Sequence, residues 1–158
     1  MNTQQQYRKV MGRFATGVSI IAVGVDKEVR AITANSVTSI SLDPPVLLFG
    51  VKNESRLLAA VTREKAFSIN FLAAHQMDLS AYYAGAKTGP CPDCWCTDHD
   101  QPIVRDALAA LICEVAEMHK VGDHMVVYGN VKSMVLPEQT HGALVYLNGR
   151  YRFLEECH

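Results

Sequence analysis

Hydrophobic and polar positions along this chain alternate in many short segments, a pattern typical of a protein built mainly from β-strands. Each segment is rich in apolar or β-branched residues and is bounded by turn-forming residues. The predicted strands cover residues 17–25, 29–34, 45–51, 66–72, 111–116, 124–136, 143–147 and 150–153. This spacing favours antiparallel strands joined by hairpins.

Only three segments follow helical periodicity. We predict an amphipathic helix over residues 3–14, a short helix capped by Asn53 or Ser55, and an alanine-rich helix over residues 73–83. Few helices among many strands predict a mainly β fold, a closed or nearly closed antiparallel barrel with Greek-key-like connections. The chain has no G-x-G-x-x-G motif, which argues against a Rossmann domain.

The most distinctive stretch covers residues 31–51 and reads A-I-T-A-N-S-V-T-S-I-S-L-D-P-P-V-L-L-F-G-V. Its apolar ends predict two strands, and a polar loop rich in hydroxyl groups is expected between them. Pro44 and Pro45 restrict the backbone before the second strand. Such a loop suits a flat ligand with many acceptors, but hydroxyl clusters are also common at ordinary strand ends. The residues alone leave both interpretations open.

Basic and hydroxyl side chains follow directly, at the predicted start of the second helix. Lys52, Ser55 and Arg56 surround a point where free backbone N–H groups and the positive end of the helix dipole favour an anion. An ordinary capped helix with solvated charges is the alternative. The position immediately after the hydroxyl-rich stretch favours a phosphate site.

The composition of the chain bears on its domain number, on nucleic-acid binding and on its location. With 158 residues, 49% hydrophobic content and a net charge of −1, the chain is expected to form one domain over residues 1–158, without the basic field that nucleic acid requires. No apolar run approaches the roughly 20 residues of a membrane span. The N-terminus lacks the apolar core of a secretion signal, so a cytoplasmic location is expected.

A cluster of cysteines lies in the one long irregular segment expected, residues 85–101. Cys91, Cys94, Cys96 and His99 supply the ligand types of a zinc or iron site. Their tight C-x-x-C-x-C spacing departs from ordinary zinc patterns, and free or redox-active thiols are the alternative. Cys113, within a predicted strand, is expected to serve packing only.

One histidine stands out because of its neighbours. His124 follows a predicted hairpin turn in the sequence G-D-H, at the mouth of a strand. A lone histidine in a strand is more often structural than functional, although neutral imidazole is well suited to orienting a ligand by hydrogen bonding. Asp123 is expected to be a turn residue rather than a catalytic acid.

Several motifs together resemble one known family. The segment I-T-A-N-S-V-T-S-I-S-L-D-P-P-V-L-L is similar to the signature of the short flavin reductases, whose domain is an FMN-binding split β-barrel. The segments F-A-T-G-V, V-G-D-H-M-V-V-Y-G-N-V and L-V-Y-L-N-G-R-Y-R also resemble that family. The resemblance runs from Phe14 to Phe153, and the cysteine-rich segment is its main departure.

This resemblance implies an NAD(P)H-dependent flavin reductase that transfers a hydride to FMN or FAD. It implies a homodimer and a partner monooxygenase that receives the reduced flavin. It also implies that His124 positions the nicotinamide. The alternation within residues 66–72 separately predicts a half-buried strand whose polar face turns toward the cofactor. The implied flavin-binding residues are Thr33, Ala34, Asn35, Ser36, Val37, Thr38, Ser39, Val51, Lys52, Ser55 and Arg56.

A non-catalytic alternative comes from the same chain. The cysteine-rich segment is compatible with a flavin-binding module that senses metal or oxidant instead of turning over NAD(P)H. Steady NADH oxidation with added FMN would separate the two functions, because a sensor does not turn over.

Overall fold

The computed structural model describes residues 1–138 and 141–154 and is built mainly from strands. The strands are β1 (Thr16–Gly17), β2 (Ser19–Val25), β3 (Glu28–Ala34), β4 (Val37–Leu42), β5 (Pro45–Lys52), β6 (Ala66–Phe71), β7 (Trp95–Cys96), β8 (Ile103–Val104), β9 (Ala109–Val121), β10 (His124–Val135), β11 (Ala143–Leu147) and β12 (Arg150–Leu154). The helices are α1 (Thr3–Met11), α2 (Arg56–Glu64) and α3 (Met77–Ala81), with a 3₁₀ turn (Ala74–Gln76) before α3 and a π-helical turn (Tyr82–Ala86) after it.

Seven of these strands form one antiparallel sheet in the order β3-β2-β6-β9-β10-β5-β4. β3 and β4 lie at opposite edges of this order, although only Asn35 and Ser36 separate them in the chain. In a flat sheet, six strand spacings of about 4.8 Å would hold the edges roughly 29 Å apart. Three steps of about 3.8 Å let the Cα atoms of Ala34 and Val37 separate by at most about 11 Å. The sheet therefore curls until its edges meet, which confirms the predicted antiparallel barrel.

The predicted polar loop between two strands is wrong in its extent. Residues 37–42 form β4, which pairs with β5, so only Asn35 and Ser36 connect β3 to the next strand. The error has a physical cause, because hydroxyl side chains sit as well on a solvent-exposed edge strand as in a turn. The double proline behaves as expected, since Pro45 begins β5.

The barrel interior is filled by aromatic and aliphatic side chains and is covered by α2. Phe49 and Phe67 are completely buried and meet edge to face, with ring centroids 5.0 Å apart. From α2, Leu57 and Val61 are buried in the same cluster, as the helical spacing predicts. Burial of a side chain of this size contributes about 1.5–3 kcal/mol relative to exposure, so α2 is held mainly by its apolar face.

The strand over residues 66–71 is buried on both faces, which corrects the expected orientation of its polar side chains. Ser68 and Asn70 are fully buried and contact the backbone near β8 instead of an open site. Ser68 Oγ donates to the carbonyl oxygen of Pro102 at 2.5 Å, and Asn70 Oδ1 accepts from the backbone N–H of Val104 at 2.8 Å. Alternation alone does not show which polar face another segment will cover.

Two hairpins and the N-terminal helix complete the fold. β9 and β10 turn at Gly122-Asp123, and β11 and β12 turn at Asn148-Gly149, as predicted. Both residues of the second turn have positive φ, 52° and 72°, which suits Asn-Gly in a type I′ turn. Helix α1 buries none of its residues. Among the described residues, none of the helices combines the length and apolar character needed to cross a membrane.

The interior packs tightly around Gly129 in β10, and this contact yields a prediction. A Cβ atom at this position would lie 2.5 Å from Phe67 Cζ and 3.1 Å from Cys113 Cβ. We expect Gly129→Ala to lower the free energy of unfolding by about 1–3 kcal/mol, because neither neighbour has room to retreat. Gly17→Ala is the control, since a Cβ there meets nothing within 4 Å. Urea denaturation of both variants checks this, and equal losses would contradict the packing argument.

Candidate functional site

A cavity of about 450 Å³ opens where the ends of β3 and β5 meet the start of α2. Its volume lies within the range of about 300–1,000 Å³ that is usual for small-molecule sites. It is lined by Ile32, Thr33, Ala34, Asn35, Ser36, Gly50, Val51, Lys52, Glu54, Ser55, Tyr83, Ala84 and His124. Eight of the predicted site residues are in this set: Thr33, Ala34, Asn35, Ser36, Val51, Lys52, Ser55 and His124.

Ser36 fixes the wall formed by the two-residue connection. Its hydroxyl donates to the Gly50 carbonyl oxygen at 2.9 Å and accepts from the Gly50 backbone N–H at 3.2 Å. The same N–H group also lies 3.2 Å from the carbonyl oxygen of Ser36. These bonds hold Asn35 and Ser36 against β5, so backbone and small side chains form this side of the cavity.

The Thr33 hydroxyl has a structural partner. Thr33 Oγ1 donates to the carbonyl oxygen of Ser80 at 2.6 Å, and Ser80 Oγ lies 2.9 Å from the Tyr151 hydroxyl. This chain of hydrogen bonds fastens α3 and β12 to the end of β3. A second cavity of about 170 Å³ adjoins the first, since both are lined by residues 33–35 and Ala84, and Tyr151 belongs to its wall.

The start of α2 provides the anion-favouring corner. Ser55 is the N-cap, and its Oγ accepts from the Leu57 N–H at 3.2 Å. The exposed Lys52 brings a positive charge to the same wall, while Glu54 brings a negative one. Arg56 is the first residue of α2 and is exposed, outside the residues that line the cavity. The free N–H groups of this helix start and Lys52 together favour an anionic group.

His124 lies at the opening of β10 and is held by its neighbour. In the tautomer with a proton on Nδ1, it donates to Asp123 Oδ1 at 2.8 Å, which leaves Nε2 available. This hydrogen bond, and then the charge of His124, lowers the pKa of the Asp123 carboxyl, with a smaller contribution from Lys52. The interaction thus favours the folded state above the unfolded-state pKa of Asp123 and is lost as the pH falls through the folded-state value.

The turn that carries His124 is tied to the helix start. Asn53 donates its backbone N–H to the Asp123 carbonyl oxygen at 3.1 Å and its side-chain amide to the Gly122 carbonyl oxygen at 3.1 Å. These two bonds hold the β9–β10 turn beside the anion-favouring corner. The histidine and the helix start therefore keep a defined separation.

Three predicted site residues lie on β4, outside the cavity lining. Val37, Thr38 and Ser39 pair with Phe49, Leu48 and Leu47 of β5, and the side chains of Thr38 and Ser39 are exposed. Their flavin-binding role stays a prediction that the cavity lining does not support.

Sequence reasoning missed five lining residues: Ile32, Gly50, Glu54, Tyr83 and Ala84. Ile32, Gly50 and Glu54 neighbour predicted residues, so extending the segments by one position would have included them. Tyr83 and Ala84 lie in the turn after α3, far away in sequence, and no local pattern indicates that they return to this wall.

The structure does not bring the four predicted metal ligands together as one ligand set. Within residues 1–138 and 141–154, no group of three or more His, Cys, Asp or Glu side chains is placed to hold a metal ion. Cys91 is exposed, whereas Cys96 pairs with Ile103 in β8 and packs against an apolar cluster. Cys113 is fully buried, and burial raises its pKa to about 12, consistent with a packing role.

Comparison with known proteins identifies the family. Residues 11–155 match the model of the flavin reductase like domain. The chain is 31% identical to the NADH-dependent FMN reductase AsuE2 of Streptomyces nodosus subsp. asukaensis, covering 96% of this chain and 85% of the relative. It is also 31% identical to the 4-hydroxyphenylacetate 3-monooxygenase reductase component of Thermus thermophilus, covering 96% and 97% of the two chains.

A solved structure agrees with the sequence relatives. The flavin reductase PheA2 superposes with a TM-score of 0.91 at 30% identity, covering 99% of this chain and 100% of that one. This chain therefore belongs to the flavin reductase like domain family. The predicted family, its barrel fold and the class of enzyme, a flavin reductase, are confirmed.

Proposed function

We propose that this chain is a single-domain NADH-dependent flavin reductase that binds FMN in the cavity between β3, β5 and α2. The observation that carries the proposal is the cavity itself, where a wall of backbone and small side chains adjoins a helix start with free N–H groups and Lys52. NADH is preferred to NADPH as donor because the relative AsuE2 is an NADH-dependent FMN reductase.

The residues present fit an FMN molecule. The N–H groups at the start of α2, with Lys52 and Ser55, would hold its phosphate, since all three offer donors or positive charge. Residues 33–36 would lie along its ring system, where Asn35 and the backbone offer hydrogen bonds. When bound, the flavin supplies the hydride-accepting chemistry.

The chain's own contribution to hydride transfer is positional. Asp123 orients the His124 imidazole through Nδ1, and Nε2 is then free to hydrogen-bond the carboxamide of a nicotinamide. Tyr83 and Ala84 close the opposite side of the cavity and help exclude water. No protein nucleophile is needed, because the cofactors carry the reaction.

The reduced flavin is proposed to leave for a separate monooxygenase. This step is supported by the relative from Thermus thermophilus, which is the reductase component of such a system. A large open cavity suits a flavin that exchanges with solvent. The cytoplasmic location and the absence of nucleic-acid partners stay predictions from composition.

Pairing into a homodimer is also proposed, because large apolar side chains are exposed among the described residues. Tyr7, Val10 and Phe14, on and just after α1, are 65%, 63% and 69% exposed. Ile40 and Leu42 of the edge strand β4 are 50% and 89% exposed. Exposed apolar edge strands are normally covered, and a second copy of the chain would cover this one.

The phosphate placement predicts the effect of Lys52→Ala on flavin binding. Removing this charge should weaken FMN binding by about 1.5 kcal/mol, or roughly tenfold, because charged hydrogen bonds to phosphate contribute on that order. Arg63→Ala is the control, since Arg63 lies at the far end of α2 and pairs with Glu64. Fluorescence titration measures both affinities for FMN. Equal affinities in the two variants would contradict the placement of the phosphate beside Lys52.

The proposed role of His124 is tested by NADH oxidation with added FMN. The unmodified protein should oxidise NADH steadily, which a non-catalytic sensor does not do. His124→Ala should raise the KM for NADH or lower kcat while FMN affinity stays within about twofold, because the ring positions the nicotinamide.

His119 offers a matched control for that experiment. It forms a similar histidine–carboxylate pair, with Nε2 2.8 Å from Glu117 Oε2, but lies outside the cavity lining. His119→Ala should leave NADH oxidation unchanged. Loss of FMN binding in His124→Ala would instead place this histidine in the flavin site.

The dimer is checked by sedimentation velocity. We expect a species of twice the chain mass, and Leu42→Asp should shift it toward the monomer because a charge at the covered edge strand opposes association. Lys27→Asp, in the exposed turn between β2 and β3, is the control because it adds negative charge outside both β4 and α1. A monomer in the unmodified protein would contradict the proposal.

A further inference from the structure

The hydroxyl group of Tyr83 joins the cysteine-rich loop to the cavity. Tyr83 lines the cavity, and its Oη lies 3.7 Å from Cys91 Sγ. Trp95 Nε1 donates to the same hydroxyl at 3.0 Å. The loop thus reaches the site wall through Cys91 and Trp95.

The loop is anchored on the Cys94 side. The Cys94 carbonyl oxygen accepts from the Arg105 backbone N–H at 2.8 Å, and Arg105 Nη2 binds Asp93 Oδ1 at 2.8 Å. The Cys94 N–H also donates to the Pro92 carbonyl oxygen at 3.1 Å, which turns the chain back toward Cys91. The C-P-D-C segment is therefore a compact turn with its second thiol held in place.

The other two described thiols have different surroundings. Cys96 packs beside Ile103 and its apolar neighbours, and Cys113 is fully buried in the barrel. Cys91 is exposed, and burial raises the pKa of Cys94 to about 11. Cys94 therefore stays a thiol near neutral pH, and Cys91 is the sulfur that an oxidant in solution meets first.

We propose that Cys91 and Cys94 are a reversible dithiol switch, oxidised by a peroxide to a disulfide that weakens FMN binding through Tyr83. The inference rests on the proposed function, because reduced flavin that reacts with dioxygen yields hydrogen peroxide at this same site. Oxidation of the two thiols would then lower the FMN occupancy of the reductase when its reduced flavin reacts with dioxygen.

The chemistry balances in two steps. The Cys91 thiolate attacks hydrogen peroxide, so that an S–O bond forms, the O–O bond breaks and hydroxide leaves. Cys94 sulfur then attacks the Cys91 sulfenic acid, which forms the S–S bond and releases water after proton transfer. The two thiols lose two electrons in total, and one peroxide becomes two water molecules. A thiol reductant reverses the change.

Disulfide formation has a direct consequence for the cavity wall. The two sulfur atoms must approach to about 2.05 Å, which turns Cys91 Sγ toward Cys94 and draws it off the Tyr83 hydroxyl. Before oxidation the Tyr83 hydroxyl is protonated, since burial and then its hydrogen bond with Cys91 raise its pKa. The loss of the Cys91 contact therefore reaches the cavity through the Tyr83 hydroxyl, whose ring is held against Trp95 with centroids 5.7 Å apart.

Thiol counting tests the disulfide by itself. In a Cys157→Ser background, which removes the cysteine outside the described residues, five cysteines become four. Alkylation under denaturing conditions should add four labels to the reduced protein and two after peroxide. Peptide mapping should then find the labels on Cys96 and Cys113. Four labels after peroxide, or labels that place Cys96 in the disulfide, would overturn the proposal.

Titration with FMN tests the coupling. The oxidised protein should bind FMN about threefold to tenfold more weakly, the loss expected for one hydrogen-bonded wall residue, and dithiothreitol should restore the affinity. Cys91→Ser and Cys94→Ser should each abolish the peroxide effect, whereas Cys96→Ser, in the same loop, should keep it. Equal affinities in the two states would refute the coupling.

Tyr83→Phe isolates the route of coupling. This variant should still form the disulfide, but the ratio of FMN affinities between the two states should fall to about one. A full peroxide effect in Tyr83→Phe would exclude the tyrosine hydroxyl as the link. Failure of the reduced, unmodified protein to bind FMN would count against the proposed function, while the thiol count would still decide whether the dithiol exists.

Discussion

The short connection between β3 and β4 is the constraint on which the barrel depends. Two residues cannot span a flat seven-stranded sheet, so the edges must meet, and the meeting point is Asn35 and Ser36. At this point the Ser36 hydroxyl forms hydrogen bonds with the carbonyl oxygen and the N–H group of Gly50. These two backbone groups therefore have a hydrogen-bond partner where the barrel closes. The cavity lies beside this closure, and its backbone wall follows from it.

Elements distant in sequence are then locked to the same corner by a few specific bonds. Asn53 ties the β9–β10 turn to the start of α2, and Thr33 ties the end of β3 to the backbone of α3. Helix α2 is held by the buried Leu57 and Val61, so its N-terminus is a rigid part of the site. These anchoring contacts take no part in the proposed hydride transfer. They fix the positions of the side chains and backbone groups that line the cavity.

Tyr83 gives the site a second connection, to the cysteine-rich loop. The π-helical turn places Tyr83 between the cavity and the Cys91 thiol, while Trp95 binds the Tyr83 hydroxyl and Arg105 binds Asp93 of the loop. A metal site would have needed the cysteines and His99 to converge. Instead Cys96 is taken into an apolar cluster, which leaves a pair of thiols rather than a ligand set.

The sequence by itself determined the strand-rich barrel, the Asn148-Gly149 hairpin, a helix capped at Asn53 or Ser55 and most of the cavity lining, because periodicity, turn chemistry and family motifs are local properties. Tertiary structure decided which segments pair with one another and which polar side chains are buried, because local patterns do not specify either. Residues 37–42 became an edge strand because β5 offered pairing partners, and Ser68 and Asn70 turned inward because the backbone near Pro102 and Val104 satisfied them. Tyr83 reached the cavity only because a chain of hydrogen bonds fastens its helix to β3, a contact between segments about 47 positions apart that no local pattern encodes.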